Sequence, residues 1–381
     1  MPQLAANAAT MPRSGIRRLM DAAWSLPGPV IGLHVGEPSF GAPAHVLEAA
    51  RRAYAAGDTH YVPNAGIPAL RAELARKLKT RNGLDAEPSQ VVVSAGGAQA
   101  LHLTLSLTVA AGDEVLVPDP GWPNFAMAVQ LLQASPVRYP LRAENGFCPD
   151  PAELEALVTD RTRAIIVNTP SNPLGTVLRA EHVEALVRFA DRHDIWLISD
   201  ECYDGLTFEV EHVSPARFDT QGRVLSCYSF SKTYAMTGLR VGYLLAPEHI
   251  AETAAKLQEP MIACVNAPAQ VAALAALTGP QDEAQAMLAA YRERRDAAVA
   301  QLTAAARAHV YPEGAFYLWL DVRDLCAGDV EAWALDVLRT RGVALAPGTT
   351  FGPLGEGWAR VSLATDTDDL LEGLARLEMP A

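Results

Sequence analysis

Short apolar runs rich in β-branched residues alternate along the chain with longer segments in which apolar residues recur every three or four positions. The short runs are VVVSAG, DEVLVPDP, RAIIVNTP, DIWLISDE, RVLSCYSF and GLRVGYLLA. The longer segments include AQALHLTLSLTVAAG, AELEALVTD and AEHVEALVRFADRHD. This alternation predicts strands separated by helices, in a mostly parallel α/β sheet that is covered on both faces.

The pattern changes after one long helical stretch, QDEAQAMLAAYRERRDAAVAQLTAAARAH. The segments that follow it are AFYLWLDV, EAWALDVLRTRG, VALAPG and ARVSLA. Their mixture of short strand patterns and one helical pattern predicts a second, smaller α+β domain.

Composition and charge narrow the classes of partner. The 381 residues are 50% hydrophobic, which is enough for a large core and two domains, and the net charge is −13 with scattered basic residues. This charge argues against nucleic acid or an anionic membrane as a partner. Five widely spaced cysteines without a CxxC pair indicate neither a disulfide framework nor a zinc site. With no signal-peptide pattern and no membrane-spanning apolar run, we expect a cytoplasmic protein without a metal.

Lysine is rare in this chain, since only four of the 31 basic residues are lysines. Lys77, Lys79 and Lys256 lie in charged helical patterns, and we expect them on solvated helix faces. Lys232 lies instead among serines, threonine and aromatic residues in SFSKTYAMTGLRVGY. An amine can lose its proton and condense with an aldehyde, whereas a guanidinium group stays protonated. Lys232 is therefore a candidate for covalent catalysis.

Polar residues follow several of the predicted strands, at the edge of a parallel sheet where ligands bind. Gly96 and Gly97 join a strand to a helix, so the free N–H groups near Ala98 suit a phosphate, although a glycine pair also fits an ordinary turn. Asp200 follows the buried run IWLIS. A buried carboxylate needs a cation as its partner. Because the sequence has no metal-ligand pattern here, a protonated ring nitrogen is a reasonable partner for Asp200. The alternative is that Asp200 caps the next helix.

Three segments, NTPSNPLGTV, ISDECYDGL and SFSKTYAMTGLRVGY, together resemble the class I aminotransferases, fold type I enzymes that use pyridoxal 5′-phosphate. The resemblance continues through LHVGEPSF, HYVPNAGIPALRAEL, SAGGAQAL, DPGWPNF, PEGAFYLWLD and ARVSLA, and so covers nearly the whole chain. It implies a mostly parallel, seven-stranded type of sheet between helices in a large domain at 45–280. Residues 1–44 would form an N-terminal arm and part of a small domain, which 281–381 completes.

The resemblance also implies catalytic roles. Lys232 would bind the cofactor aldehyde and then move the proton between the substrate α-carbon and cofactor C4′. Asp200 would keep the pyridine nitrogen protonated, so that the ring can accept electrons. Tyr203 and Asn172 would hydrogen-bond the 3′-oxygen and lower the pKa of the lysine–cofactor linkage, and Trp122 would stack on the pyridine face.

Phosphate and substrate sites are implied in the same way. The phosphate would be bound by the backbone near Gly97 and Ala98 and by the side chains of Ser229, Ser231 and Arg240. Tyr61 matches a position that reaches the phosphate of the neighbouring subunit, which implies a homodimer with shared active sites. Arg360 would bind the substrate α-carboxylate bidentately, next to Asn172, and Gly36 would let the backbone approach it.

The expected activity is transfer of the amino group of an α-amino acid to a 2-oxo acid, in two half-reactions through the pyridoxamine form. Ile16 and Val35 favour a neutral or aromatic substrate, and Ala98 stands where some aspartate-specific relatives carry lysine. A lyase that performs elimination or decarboxylation on the same fold is one alternative. Another is a non-catalytic cofactor-binding module, which the sequence disfavours because it carries every residue needed for chemistry and no DNA-binding extension.

Overall fold

The computed structural model describes residues 2–377, which form thirteen helices and twelve strands. The helices are α1 (Ala6–Ala9), α2 (Gly15–Trp24), α3 (Ala44–Ala56), α4 (Pro68–Asn82), α5 (Gly97–Thr108), α6 (Pro123–Leu131), α7 (Pro151–Glu155), α8 (Ala180–His193), α9 (Glu248–Ile262), α10 (Ala267–Thr278), α11 (Asp282–Ala304), α12 (Val330–Arg341) and α13 (Thr367–Leu377). The strands are β1 (Ile31–Leu33), β2 (Val91–Ser94), β3 (Glu114–Asp119), β4 (Ser135–Pro140), β5 (Thr162–Asn168), β6 (Trp196–Asp200), β7 (Val224–Ser229), β8 (Gly242–Leu245), β9 (His309–Val310), β10 (Tyr317–Asp321), β11 (Val343–Pro347) and β12 (Trp358–Ser362).

Seven strands form one sheet in the order β2-β8-β7-β6-β5-β3-β4. Strands β3 to β7 run parallel to one another, and only β8 runs antiparallel to both strands beside it, β2 and β7. Buried apolar clusters lie on both faces, which explains why the central strands read as continuous apolar runs. The predicted α/β class and the mostly parallel, seven-stranded sheet are confirmed.

A second sheet has the order β1-β11-β12-β10-β9. Strand β1, near the N-terminus, pairs in parallel with β11, and Leu33 lies opposite Leu345. The N-terminal segment therefore completes a sheet whose other strands come from the C-terminal part of the chain. The exact domain boundaries remain a prediction.

Four strand ends in the larger sheet determine where polar side chains gather. Asn168 at the end of β5 lies opposite Asp200 at the end of β6, and Asp200 lies opposite Cys227 in β7. Strand β2 leads through Gly96 into α5. Because β2, β5, β6 and β7 point in one direction, their carboxyl ends lie along the same sheet edge.

The expectation for Lys77 is wrong. Its side chain in α4 is only 13% exposed and forms an ion pair with Asp204. The ammonium group also lies 4.9 Å from the centroid of the Tyr228 ring. Lys79 and Lys256 are exposed, as expected. The charged helical pattern of α4 did not show which face of the helix packs against the sheet.

The described residues contain no membrane span and no metal cluster. Within residues 2–377 the helices lack the length and apolarity needed to span a bilayer. In the same range, His, Cys, Asp and Glu side chains do not gather in a group that could hold a metal ion.

Candidate active site

A cleft of about 400 Å³ lies at the carboxyl edge of the larger sheet and is closed by residues of the smaller sheet. Twelve of the thirteen site residues predicted from the sequence line it: Gly36, Gly97, Ala98, Trp122, Asn172, Asp200, Tyr203, Ser229, Ser231, Lys232, Arg240 and Arg360. The chain therefore brings together residues that are more than 300 positions apart in sequence.

Lys232 lies three residues beyond the end of β7, in the turn that follows the strand. Its Nζ donates a hydrogen bond of 2.6 Å to the carbonyl oxygen of Gly36 and lies 5.7 Å from the centroid of the Phe316 ring. Burial lowers the pKa of the Lys232 ammonium group to about 8. The amine is thus partly neutral near pH 8, as a nucleophile or general base requires.

Asp200 is 6% exposed, and no Lys, Arg or His among residues 2–377 forms an ion pair with it. Its Oδ1 accepts a hydrogen bond of 3.1 Å from the backbone N–H of Cys202. Burial raises the pKa of the Asp200 carboxyl, against the hydrogen bonding from Cys202. The adjacent Glu201, in contrast, is bonded to His212 at 2.8 Å and to Tyr228 at 2.9 Å. The environment of Asp200 therefore suits a cationic ligand atom.

The start of α5 and the turn after β7 form an anion-binding corner. Gly96 has φ +85°, and a Cβ there would lie 2.5 Å from Nη2 of Arg240, so only glycine lets the guanidinium approach this backbone. Arg240 donates to the carbonyl oxygens of Thr237 at 2.7 Å and Ala95 at 3.2 Å. The first N–H groups of α5 have no acceptor within the helix. These donors together suit a phosphate group.

Two hydroxyl groups face the same corner. The backbone N–H of Ser231 donates to Oγ of Ser229 at 3.1 Å, which orients the Ser229 side chain at the end of β7. Both serines line the cleft together with Gly97 and Ala98. Each hydroxyl proton can be donated to a ligand oxygen.

Arg360 in β12 is 1% exposed and has no carboxylate partner among the described residues. Its Nη1 donates to Oδ1 of Asn172 at 2.9 Å, and its Nη2 donates to the carbonyl oxygen of His34 at 2.6 Å. Burial, and then the charge of Arg360, lower the pKa of His34 to about 4, so the imidazole is neutral. A buried guanidinium group without an anion suits a carboxylate ligand.

Asn172 is held by the turn after β5. Its backbone N–H donates to Oδ1 of Asn168 at 2.8 Å, and Nδ2 of Asn168 donates to the carbonyl oxygen of Asp200 at 3.1 Å. Asn168 therefore joins two neighbouring strand ends and fixes Asn172 where it meets Arg360.

Two buried tyrosines lie between these groups. The hydroxyl oxygens of Tyr203 and Tyr317 are 2.8 Å apart, and the ring of Tyr317 lies 4.3 Å from the guanidinium carbon of Arg360. Burial raises the pKa of both hydroxyls, so both are protonated at neutral pH. Trp122 immediately precedes α6 and contacts Phe125 edge-on, with 5.4 Å between ring centroids.

Comparison with known proteins identifies the family. A profile described as aminotransferase class I and II matches residues 28–377. The aspartate/prephenate aminotransferase of Thermus thermophilus is 39% identical over 351 residues, 91% of this chain and 90% of that protein. Aromatic-amino-acid aminotransferase 2 of Thermococcus litoralis is 37% identical over 370 residues, 96% of this chain and 95% of that protein.

A solved structure of aspartate aminotransferase from Thermus thermophilus with maleate is similar with a TM-score of 0.93 at 38% identity, covering 99% of this chain and 100% of that one. The chain belongs to the class I and II aminotransferases. The resemblance read from the sequence is thus confirmed, and so is fold type I. The protein is an enzyme that transfers amino groups.

Tyr61 is the one predicted site residue that lies outside the cleft of this aminotransferase. It is 88% exposed and lies on a separate surface with Tyr54, His60 and Cys264. Within its own chain Tyr61 therefore does not contribute to the cleft. Its role across a subunit interface stays a prediction.

Several residues that line the aminotransferase cleft were not singled out from the sequence: Arg17, Met20, Glu37, Cys202, Thr237 and Tyr317. Arg17 has no hydrogen bond or ion pair with any described residue, whereas Glu37 accepts a hydrogen bond from Thr237 at 2.5 Å. Tyr317 lies in AFYLWL, where its polar hydroxyl within an apolar strand was the available signal. For Arg17 the signal was its place next to Ile16.

Proposed function

We propose that the cleft binds pyridoxal 5′-phosphate and that the enzyme uses it to transfer the amino group of an α-amino acid to a 2-oxo acid. The observation that carries the proposal is Asp200, a buried carboxylate that forms no ion pair with any Lys, Arg or His of residues 2–377. It lies in the same cleft as Lys232, whose pKa is lowered to about 8. A pyridinium nitrogen supplies the cation that Asp200 lacks, and an aldehyde supplies a partner for the amine.

The donor set fits the remaining parts of this cofactor. The N-terminus of α5 at Gly97 and Ala98, with Ser229, Ser231 and Arg240, would bind the phosphate. Tyr203 and Asn172 would donate to the 3′-oxygen, and the Trp122 ring would pack against one face of the pyridine. Each contact uses a group that already faces the cleft.

Once bound, the cofactor supplies a ring that accepts electrons from the substrate α-carbon. Lys232 would hold the cofactor through its amine and, when freed by the substrate, its Nζ would serve as the base that moves the substrate α-proton. The carbonyl oxygen of Gly36, 2.6 Å from Nζ, keeps the amine inside the cleft. Asp200 would be ionised when paired with the ring nitrogen and would keep that nitrogen protonated.

Arg360 would bind the substrate α-carboxylate. Its Nη1 is oriented by Asn172 and its Nη2 by the His34 carbonyl group, while Nε has no hydrogen-bond partner among the described residues. A planar guanidinium held on one side is well suited to a bidentate carboxylate on the other. Gly36 lines the same cleft, and it must be glycine because a Cβ there would overlap the Tyr317 hydroxyl.

The substrate side chain would contact Ile16, Met20, Val35 and Trp122, which favours a neutral or aromatic amino acid. One observation favours a second candidate. Arg17 lines the same cleft without a partner among the described residues, and it could bind an acidic side chain. The relatives reported above are named for aspartate, prephenate and aromatic amino acids.

We also propose a cytoplasmic homodimer in which Tyr61 of one subunit reaches the phosphate site of the other. Its 88% exposure within one chain supports this role, because an aromatic ring with a hydroxyl group is suited to an interface. All five cysteines are unpaired, which supports a reducing compartment.

The experiment that tests the proposal follows the absorbance of purified enzyme loaded with pyridoxal 5′-phosphate. Reduction with borohydride and peptide mapping should place the cofactor on Lys232. A panel of neutral, aromatic and acidic amino acids should convert the cofactor to its amine form, and a 2-oxo acid should restore it. Release of ammonia or carbon dioxide without this return would indicate a lyase instead.

A further inference from the structure

Tyr203 and Tyr317 form an isolated pair of hydroxyl groups. Tyr203 is 5% exposed and Tyr317 is 1% exposed, and their oxygens are 2.8 Å apart. Within the described part of the chain neither hydroxyl has another hydrogen-bond partner. A hydroxyl group has one proton to donate, so one tyrosine donates to the other and the acceptor keeps its own proton for a ligand.

The surroundings decide which tyrosine donates. The Tyr317 hydroxyl is packed against Gly36, where a Cβ would overlap it, so it has no room for a second partner on that side. Both tyrosines line the cleft with Asp200 and Lys232, but only the Tyr317 hydroxyl is blocked on one side by Gly36. When Tyr203 donates its proton to a ligand in the cleft, its oxygen accepts the proton of Tyr317.

Tyr317 is also held rigidly. Its ring lies 4.3 Å from the guanidinium carbon of Arg360 and 4.9 Å from the centroid of the Phe316 ring. The Tyr203 ring meets it edge-on at 5.8 Å. Packing of this kind fixes the hydroxyl oxygen of Tyr317 relative to that of Tyr203.

We propose that Tyr317 is a positioning residue that acts through Tyr203. Its hydroxyl donates to the Tyr203 oxygen, and Tyr203 in turn donates to the 3′-oxygen of the cofactor. This inference rests on the proposed function, since it requires pyridoxal 5′-phosphate in the cleft. Hydrogen bonds in a chain polarise one another, so Tyr317 makes Tyr203 a stronger donor.

The expected sign follows from the charge on the 3′-oxygen. A stronger donor stabilises the ionised oxygen, which lowers the pH at which the lysine–cofactor nitrogen loses its proton. Tyr317→Phe removes the second donor and keeps the ring, so the pH midpoint should rise. A charge-assisted hydrogen bond that loses ~20–30% of its strength corresponds to a rise of about 0.3 to 0.7 pH unit.

The test is an absorbance-monitored pH titration of cofactor-loaded wild type, Tyr317→Phe, Tyr203→Phe and the double variant. Tyr317→Phe should raise the midpoint in the wild-type background and should have no further effect on Tyr203→Phe. Tyr291→Phe is the matched control, because Tyr291 is fully buried and its hydroxyl has no partner among residues 2–377. This control should titrate as wild type does.

An unchanged midpoint in Tyr317→Phe, or the same shift with Tyr203 already replaced, overturns the inference. A wild-type enzyme that shows no pH-sensitive cofactor band overturns the proposed function together with it. A raised midpoint in Tyr203→Phe together with a wild-type midpoint in Tyr317→Phe refutes the role of Tyr317 alone. Tyr317→Phe should also bind substrate carboxylate as wild type does, because the ring beneath Arg360 remains.

Discussion

Replacing Asp200 with asparagine separates the stability of the fold from the chemistry of the cleft. Asp200 is 6% exposed, and its Oδ1 accepts the Cys202 N–H at 3.1 Å, a bond that the asparagine oxygen can keep. The change removes the charge and replaces the second carboxylate oxygen with an NH2 group of similar size. Removing one partner of a buried charge pair costs ~3–5 kcal/mol, which is on the order of a thousandfold in rate if the lost partner is the ring nitrogen.

In the cofactor-free enzyme, Asp200→Asn should raise the stability of the fold or leave it unchanged. Burial raises the pKa of Asp200, so the ionised carboxylate destabilises the empty fold. That penalty is absent below the ordinary carboxyl pKa of about 4 and develops as the pH rises above it. Cofactor-free Asp200→Asn should therefore melt at least as high as wild type at pH 7, and the two melting temperatures should converge as the pH falls toward 4.

The assays are single-turnover kinetics with the loaded enzyme and thermal unfolding of the cofactor-free enzyme. Asp119→Asn is the matched control: Asp119 also ends a buried strand, is 4% exposed, and accepts a backbone N–H, that of Leu354 at 3.2 Å. It lies outside the cleft, so its turnover should stay close to wild type. An Asp200→Asn variant within tenfold of wild-type rate would refute the assignment of the ring nitrogen as partner.

Three further predictions concern single side chains of the site. Lys232→Ala and Lys232→Arg should both lose the borohydride-reducible link and all but trace turnover, and near-normal activity of either variant contradicts the assignment. Wild-type enzyme should bind cofactor faster as the pH rises through about 8, the pKa to which burial lowers this lysine. Arg360→Lys should raise KM for the amino acid about 10- to 100-fold in steady-state assays. Lysine loses one of the two charge-assisted hydrogen bonds to the substrate carboxylate, and such a bond is worth ~1.5–3 kcal/mol. An unchanged KM would place the carboxylate elsewhere. In a mixed dimer of a wild-type chain and a chain carrying Tyr61→Ala and Lys232→Ala, only the wild-type chain has Lys232. The site with that lysine should bind cofactor more weakly than wild type, because it receives the truncated residue 61 of the other chain. Wild-type affinity at that site, or an active monomer, argues against a shared site.

The strongest sequence signals were those in which pattern and chemistry agreed. The central strands of the larger sheet are buried on both faces, so their apolar runs predicted them well. Strand β4 was missed because it lies at the sheet edge and its segment SPVRYP, mostly partly buried or exposed, has no apolar run. The reversed direction of β8 was not predictable, because an apolar run does not encode strand direction.

Some residues of the site could also be predicted from the sequence, whereas others could not. Lys232 and Asp200 were identified because their residue types conflict with their surroundings in the sequence. The predicted residues of the cleft lie together, but Tyr317 and Arg17 became visible only through the contacts and the cleft of the folded chain. Lys77 was misinterpreted because the charged segment did not show that this lysine lies beside the buried face of α4, formed by Leu70, Leu74 and Leu78.

Pairing of β1 with β11 sets an order of events during synthesis. The seven-stranded sheet comes from residues 91–245, which emerge from the ribosome as one continuous piece. Strand β11 ends at Pro347, roughly 100 residues later, which corresponds to about 5–20 s of translation. During that interval the segment at 31–33 has no partner strand, and Arg360 has not been made. Under the proposed function, Lys232, which would hold the cofactor, is therefore synthesised before the arginine that would bind the amino acid.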